Sequence, residues 1–349
     1  MKKPIVVLLV VALAAVVVVF WLADKGNNPA VPTPLPPIRD EPASDGVEPR
    51  VTLKVQYPPG QFQVTYEDHS TSTVTIEGRN DKGILKKRRG NWYETAIWPP
   101  DANGITRIVS CMRRGVYYRS PCPGQAEVDL DTDRPTTLES NPAGEIMKLK
   151  LAKLTMLRLN RNLAVVDMKD GDDSYIEACR SIVPEADTIL AKNRKLIAKL
   201  ALPGCGRTRN YLPSRPVGAG AGWYAEFDTK VKAVAKKWHT LAKCTLAKFT
   251  EADGVRLATI DYVKRERIEP VNLSVAGMNV NGGEMTVDGS GRIVIEVDTG
   301  LVRSHTVKET KTGQVSGQML GQDNAVNSTV ERERNMTATR LPVASQNRR

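Results

Sequence analysis

Three stretches between residues 212 and 263 decide the fold: LPSRPVGAGAGWYAEF (212–227), KWHTLAKCTLAKF (237–249) and EADGVRLATIDYV (251–263). From Trp223 onward apolar and polar residues alternate, with Trp223, Ala225 and Phe227 on one side. Because side chains of a strand point alternately to the two faces of its sheet, this pattern predicts a strand with one buried face. Asp253-Gly254 separates two apolar runs, which is a common signal for a β-hairpin turn.

Residues 228–249 allow a second interpretation. Their side chains at helical spacing are Val231, Val234, Trp238, Leu241 and Thr245. This spacing fits an amphipathic helix, whereas the alternation that begins at Trp223 fits a strand. Periodicity alone leaves the two interpretations equal.

Much of the remaining sequence between residues 51 and 342 shows the same two-residue alternation and is rich in β-branched side chains. Strands are predicted at 51–57, 62–76, 107–118, 146–168 (with a turn at Asn160–Asn162), 284–287, 292–297 and 301–308. The polar segment 309–340 is expected to add one or two edge strands. Pro184–Leu200 differs, because its apolar residues recur at helical spacing and predict one substantial helix.

The predicted fold class is therefore mainly β (α+β). We expect a curved antiparallel sheet or open barrel with one substantial helix, preceded by an N-terminal transmembrane helix. The β-rich domain would span residues 51–342, as one unit or as two halves around the helix at 184–200. Residues 343–349 are predicted to be a tail.

Several of these motifs resemble a family of secreted or anchored bacterial proteins, known mostly from planctomycetes and classified only as a domain of unknown function. The LP…PV…G…W pattern, the strand after it and the Asp-Gly hairpin are similar to that family. Residues 51–74 resemble its opening pair of strands, and residues 287–308 its closing strands. Ala221 and Gly222 depart from the pattern, which has a polar residue before the Trp. The resemblance covers 51–342 in scattered pieces and implies a β-rich fold without catalytic residues.

The chain begins with Lys2 and Lys3, followed by a run without charged side chains, Pro4–Ala23. This run is long enough to cross a hydrocarbon core of about 30 Å. No small-x-small cleavage site follows it, and the leading lysines favour a cytoplasmic N-terminus. We therefore predict that residues 1–23 are an uncleaved anchor in the inner membrane, with the domain on the periplasmic or extracytoplasmic side. The alternative is a cleaved signal peptide.

Residues 24–50 are rich in proline and contain no aromatic side chain. Such a composition cannot bury a core and favours a semi-extended spacer. We predict a linker between the anchor and the domain. A polyproline ligand for a recognition domain is the alternative interpretation.

The formal net charge is +11, and because residues 1–50 are balanced in charge, the whole excess lies in the domain. Its densest part is the run Lys86, Lys87, Arg88 and Arg89, which lies between Gly83 and Gly90 and is expected in an exposed connection. Such a field favours an anionic lipid or an acidic polymer as partner. No nucleic-acid-binding motif accompanies it, so nucleic acid is not expected. The alternative is a solvated basic face without a partner.

Five cysteines are present, and an oxidising compartment permits at most two disulfides. Cys111 with Cys122 would close a short loop, and Cys179 with Cys205 would span the predicted helix, although sequence alone does not fix the pairing. Cys244 would then be an inert buried thiol. No metal and no cofactor are predicted, because the histidines and cysteines lack ligand spacing.

Catalytic motifs are weak. Asp298-Thr299-Gly300 follows an apolar run as in an aspartic protease, but that chemistry needs two carboxylates, so a hairpin turn is the favoured interpretation. The predicted function is a membrane-tethered, non-catalytic binding or structural module. One alternative is a carrier of an apolar ligand or lipid, with a pocket lined by Leu196, Leu200, Trp223 and Phe227. The other is a hydrolase built on Asp298.

Overall fold

A computed structural model describes residues 44–76, 82–121, 126–139, 144, 147–148, 151, 154–163, 165–170, 208–229, 235–270, 273–275, 278–319 and 322–342. Two 3-10 helices lie at Pro135–Leu138 and Arg209–Tyr211. The strands are β1 (Val47–Val51), β2 (Gly60–Ile76), β3 (Lys82–Ile97), β4 (Thr106–Arg119), β5 (Val128–Asp131), β6 (Leu154–Leu159), β7 (Val165–Asp170), β8 (Val217–Ala219), β9 (Gly222–Asp228), β10 (Ala235–Ala252), β11 (Val255–Pro270), β12 (Leu273–Val275), β13 (Met278–Glu296), β14 (Val302–Met319) and β15 (Gln322–Arg340).

One antiparallel sheet contains thirteen of these strands. Its main order is β7-β6-β4-β3-β2-β15-β14-β13-β11-β10-β9, with β12 paired to β13 and β5 paired to β4. β1 and β8 form a separate two-stranded ladder. No ladder among the described residues joins β7 to β9, so the sheet is open. The predicted mainly β, antiparallel class is confirmed.

The first and last long strands meet in the middle of the sheet. β15 pairs with β2, with Met336 opposite Tyr66, and it pairs with β14 on its other side. The described parts of the two halves therefore share one sheet. The expectation of edge strands at 309–340 is wrong, because both β14 and β15 have a partner on each side. Their polar composition reflects a solvent-facing surface on one face and buried ion pairs on the other.

The segment 228–249 fitted a helix and a strand equally well from its sequence, and its described residues from Ala235 onward form a strand. β9 and β10 pair antiparallel, and Trp223 lies opposite Cys244 in that ladder. Trp223 and Ala225 are buried, whereas Tyr224 and Glu226 alternate to the other face. β10 and β11 are joined by the predicted turn, in which Asp253 and Gly254 both have positive φ. Residues 230–234 lie outside the described residues.

The predicted strand at 51–57 is wrong. Regular pairing ends at Val51, and the chain then crosses the sheet with Leu53 and Val55 buried against it and Gln56 N donating to Gly300 O at 2.8 Å. The alternating apolar residues of 51–57 contact the core, but residues 52–57 are not paired with a neighbouring strand. The last residues of the predicted linker form part of β1, Val47–Val51.

Two-residue alternation divides the sheet into two faces. One face carries Ile260 of β11, Ile293 of β13 and Met336 of β15, and we call it the core face. We call the opposite face the polar face. The core cluster also takes in side chains from segments beside the sheet, namely Leu53, Val55, Tyr211, Val217 and Ala221. Each fully buried aliphatic side chain contributes about 1.5–3 kcal/mol. Residues 51–59 and 208–221 thus cover part of the core face.

Two glycines of β13 let long side chains of β11 cross the core face. A Cβ on Gly291 would come within 2.3 Å of the Tyr262 ring, and a Cβ on Gly289 within 3.2 Å of Lys264 Cε. Both side chains therefore reach β14, two strands away. The Tyr262 hydroxyl lies 2.8 Å from His305 Nε2, and Lys264 Nζ donates to Glu309 Oε2 at 2.9 Å.

Some predictions fall on residues that the structure does not describe. These are the anchor at 1–23, the linker up to residue 43, the helix at 184–200 and the tail at 343–349. Within the described ranges, no helix has the length and apolar composition of a membrane span.

We expect Gly291→Ala to destabilise the protein by about 1–3 kcal/mol, because the new methyl group displaces the Tyr262 ring from the surface of β13. Urea unfolding measures this loss. In a Tyr262→Ala background the same substitution should cost less, since the clash with the ring is removed and only the close contact with Thr306 O at 2.7 Å remains. An equal cost in both backgrounds would show that the ring does not lie over Gly291.

Candidate functional site

The basic run lies inside β3, which corrects its expected placement in an exposed connection. Alternation places Lys86 and Arg88 on the polar face, and Lys87 and Arg89 on the core face beside Ser70 and Asp68. Lys86, Arg88 and Arg89 are exposed and Lys87 is partly buried. The four side chains cannot act together on one surface. They form two pairs of equal charge on opposite faces.

An open groove of about 800 Å³ crosses the polar face. It is lined by residues from six adjacent strands, β4, β3, β2, β15, β14 and β13. The polar-face side chains of the lining are Tyr118, Lys86, Arg88, His69, Thr71, Glu331, Glu333, Lys308, Thr310, Asp288 and Ser290.

The register of the strands arranges these side chains in two rows across the groove. Directly paired residues of the first row, from β4 to β13, are Tyr118, Arg88, His69, Glu333, Lys308 and Ser290. Those of the second row, from β3 to β13, are Lys86, Thr71, Glu331, Thr310 and Asp288. In both rows a cation on β3 and a carboxylate on β15 flank the uncharged or titratable side chain of β2.

Some of the charges are already paired. Lys308 Nζ lies 3.5 Å from Glu333 Oε1, and Arg265 donates to Asp288 Oδ1 at 2.5 Å. Lys86, Arg88 and Glu331 form no ion pair with another described residue, and all three are exposed. Because these three side chains are not engaged in ion pairs with described residues, they are available to form ion pairs with a ligand.

A different cluster of charges is buried on the core face. Lys264 Nζ donates to Glu266 Oε1 at 2.6 Å and to Glu309 Oε2, which also accepts from Arg334 Nη2 at 2.9 Å. Trp238 Nε1 donates to the second oxygen of Glu266 at 3.0 Å. The Lys264 side chain is 3% exposed. Removing one member of such a buried cluster costs about 3–5 kcal/mol, because its partner is left charged and unpaired.

His305 lies beside this cluster, between Tyr262 and Thr208. Its Nδ1 is 3.1 Å from Thr208 Oγ1. Burial, together with the nearby cations Arg334 and Lys264, lowers the pKa of His305 to about 3. The imidazole is therefore neutral, with one nitrogen donating and the other accepting.

The neighbouring groups are also held in one protonation state. Burial raises the pKa of the Tyr262 hydroxyl far above its usual value. Burial alone would raise the pKa of Glu309, but Arg334 and Lys264 outweigh it and hold that pKa below its ordinary range. A general acid or base needs a pKa near the working pH. This cluster therefore stabilises the sheet and is not arranged for proton transfer at neutral pH.

The Asp-Thr-Gly sequence forms the predicted turn after β13. Gly300 has a φ of 73° and its N–H donates to Glu296 O at 2.9 Å. Asp298 is exposed, whereas the carboxylate of Glu296 is buried and accepts from Thr299, Arg303 and Arg340. Burial would raise the pKa of Glu296, but these donors lower it. The buried carboxylate at this turn thus stabilises the turn itself.

Cys111 has a free, buried thiol. Cys122, Cys179 and Cys205 lie outside the described residues, so the pairings that involve them stay predictions. Cys244 is buried, and burial raises the pKa of its thiol to about 12, as expected of an inert thiol.

The described residues contain no group of three His, Cys, Asp or Glu side chains that could hold a metal ion. Two of the side chains expected to line an apolar pocket have other roles. Trp223 donates to Tyr211 O at 2.8 Å, and Phe227 packs edge-on against the Tyr211 ring. Both belong to the packing around the core cluster. Leu196 and Leu200 lie outside the described residues.

No protein-family model matches this chain, and no curated protein matches it in sequence. A solved structure of lipovitellin, described by its lipid–protein interactions, is similar at 13% identity and a TM-score of 0.40. That match covers 83% of this chain and 26% of the lipovitellin chain. An outer membrane channel from Pseudomonas putida F1 matches at 9% identity and a TM-score of 0.22, over 82% of this chain and 98% of the channel. Neither likeness bears on the function proposed below.

Of the residues that line the groove, the sequence identified Lys86, Lys87 and Arg88 and missed the others. His69, Thr71 and Glu331 come from strands that are far apart in the chain, and the β2–β15 ladder alone brings them together. Their alternation with core-face residues was readable from the sequence. Which strand lies beside which was not.

We expect protein stability to depend on His305 between pH 6.5 and 5. Its folded pKa lies below its unfolded pKa of about 6.5, so the unfolded state binds more protons in this window and stability falls as the pH falls. The slope approaches about 1.4 kcal/mol per pH unit. Glu309 contributes only below its unfolded pKa of about 4.3.

Urea unfolding at pH 7, 6 and 5 measures this dependence. The His305→Gln variant should lose most of the slope, whereas the control His239→Gln, at a partly exposed histidine of β10, should keep it. An unchanged slope in the His305 variant would mean that this imidazole is not buried in the neutral form.

Proposed function

We propose that this protein is a non-catalytic binding module whose polar-face groove binds a soluble ligand with anionic groups. Lys86 and Arg88 contact those groups. The predicted anchor and linker would hold the module outside the cytoplasm, tethered to a membrane. The observation that carries the proposal is the open groove of about 800 Å³ in which these two cations lack an ion-pair partner among the described residues.

The strands make the groove a rigid site. Its side chains lie at directly paired positions of a continuous ladder system, so their spacing is fixed by the backbone hydrogen bonds. A preorganised site loses less entropy on binding than one built from loops. The groove therefore suits recognition of a defined arrangement of charges.

A concave site favours a soluble ligand over a flat membrane surface. Lys86 and Arg88 lie in a depression shared by six strands, where a polymer segment can enter but a bilayer would meet the surrounding surface first. A soluble ligand with anionic groups, of which an acidic polymer is one example, is thus the preferred partner class. An anionic membrane becomes an outcome of the test.

The other two functional classes have less support. The hydrolase would need Asp298, which lies in an exposed turn. The apolar carrier would need Trp223 and Phe227, which pack with Tyr211. The binding module requires no further residues than those that the groove already presents.

The test uses two double variants with the same change of charge. We expect Lys86→Ser/Arg88→Ser to weaken binding of polygalacturonate, a linear acidic polysaccharide, by about 2- to 30-fold at low salt, since two exposed ion pairs are lost. The matched control is Lys237→Ser/Lys248→Ser, which removes two exposed cations of β10 outside the lining of the groove and should change binding little. Fluorescence anisotropy of labelled polymer gives both affinities.

Equal losses in the two variants would reduce the effect to net charge and contradict a site in the groove. Binding that does not weaken as salt rises would contradict an electrostatic contact, because exposed charges are screened within about 8 Å at physiological salt. Sedimentation with phosphatidylglycerol vesicles tests the membrane alternative. Vesicle binding lost equally in both variants, without polymer binding, would overturn the proposal.

A further inference from the structure

We infer that the ligand of the polar-face groove is dipolar: a phosphate or carboxylate lies against Lys86 and Arg88, and an ammonium group of the same ligand lies against Glu331. This inference rests on the proposed function and names the chemical class of its ligand.

The two walls of the groove have opposite charge. The β3 wall carries Lys86 and Arg88, and the β15 wall carries Glu331 and Glu333. β2 lies between them and contributes the floor, with Thr71 directly opposite both Lys86 and Glu331. A ligand on the floor therefore meets cations on one side and a carboxylate on the other.

Among the acidic side chains of the groove, Glu331 is the one that remains for a ligand. Glu333 is paired with Lys308, and Asp288 is paired with Arg265. Glu331 is exposed and has no ion pair with another described residue. Its neighbours across the ladders are Thr71 and Thr310, which carry no charge.

The spacing of the strands sets the separation of the ligand's charges. Strands two apart in a sheet are about 9.6 Å apart, which is the distance between the roots of Lys86 and Glu331. Two charged hydrogen bonds of about 2.8 Å within this span leave roughly 4 Å between the ligand's own charges. A phosphate joined to an ammonium group through two carbon atoms fits this span.

Ligands of a single charge fit less well. A plain anion seated on Lys86 and Arg88 would be repelled by Glu331, and a plain cation at Glu331 would be repelled by the two basic side chains. The Thr71 hydroxyl on the floor carries no charge. It can donate a hydrogen bond to the anionic end of the ligand or accept one from the ammonium end.

The experiment compares the effect of Glu331→Gln on two probes with the full-length chain. Glycerophosphoethanolamine carries a phosphate and an ammonium group, whereas glycerol phosphate lacks the ammonium. We expect the substitution to weaken binding of glycerophosphoethanolamine by about 2- to 5-fold, and to leave glycerol phosphate unchanged or bound more tightly. Titrations followed by NMR give the affinities. The control is Glu251→Gln, which removes the same charge from an exposed site at the end of β10 and should change the binding of neither probe.

The outcomes separate the two proposals. If Glu331→Gln strengthens binding of both probes, the ligand is a plain anion: the dipolar inference is overturned and the proposed function stands. If Lys86→Ser/Arg88→Ser leaves both probes unaffected, the groove is not the binding site and both proposals fail. If Glu331→Gln weakens binding of glycerophosphoethanolamine alone, and Lys86→Ser/Arg88→Ser weakens binding of both probes, both proposals are supported.

Discussion

The rest of the structure depends on the crossing of β13 by Tyr262 and Lys264. Gly291 and Gly289 leave the room for these side chains, which join β11 to His305 and Glu309 on β14. Because these polar groups are buried, a shifted strand would leave them unpaired at a cost of several kcal/mol. The crossing therefore fixes how β11, β13 and β14 align. Arg334 and the Asp68–Arg332 ion pair continue this alignment to β15 and β2.

The polar groove depends on register in a neighbouring set of ladders, those of β2 with β3 and with β15. A shift of one residue between two strands moves every side chain of one strand to the other face. A shift of β3 would exchange Lys86 and Arg88 with Lys87 and Arg89, and a shift of β15 would remove Glu331 from the groove. The Asp68–Arg332 ion pair on the core face stabilises the register of β2 and β15, and thereby the position of Glu331 on the polar face.

Local patterns in the sequence predicted much of the sheet but not its arrangement. The alternation from Trp223 and the Asp253-Gly254 turn were readable, because both depend on neighbouring residues. Polar strands such as β15 were assigned to an edge, because their buried partners are charged and not apolar. The pairing of β2 with β15 joins residues that are 250 to 278 positions apart, and no local signal specifies it. The sequence identified the basic run at residues 86–89. It did not show that the run lies in a strand, which places alternate side chains on opposite faces.

The register of β11, β13 and β14 tests the central claim most directly. Cross-strand nuclear Overhauser effects between backbone protons report which residues lie opposite each other. The account predicts contacts that place Lys264 opposite Gly289, and Gly289 opposite Glu309. Contacts displaced by one residue on either ladder would contradict it, since the two glycines would no longer lie beneath the crossing side chains.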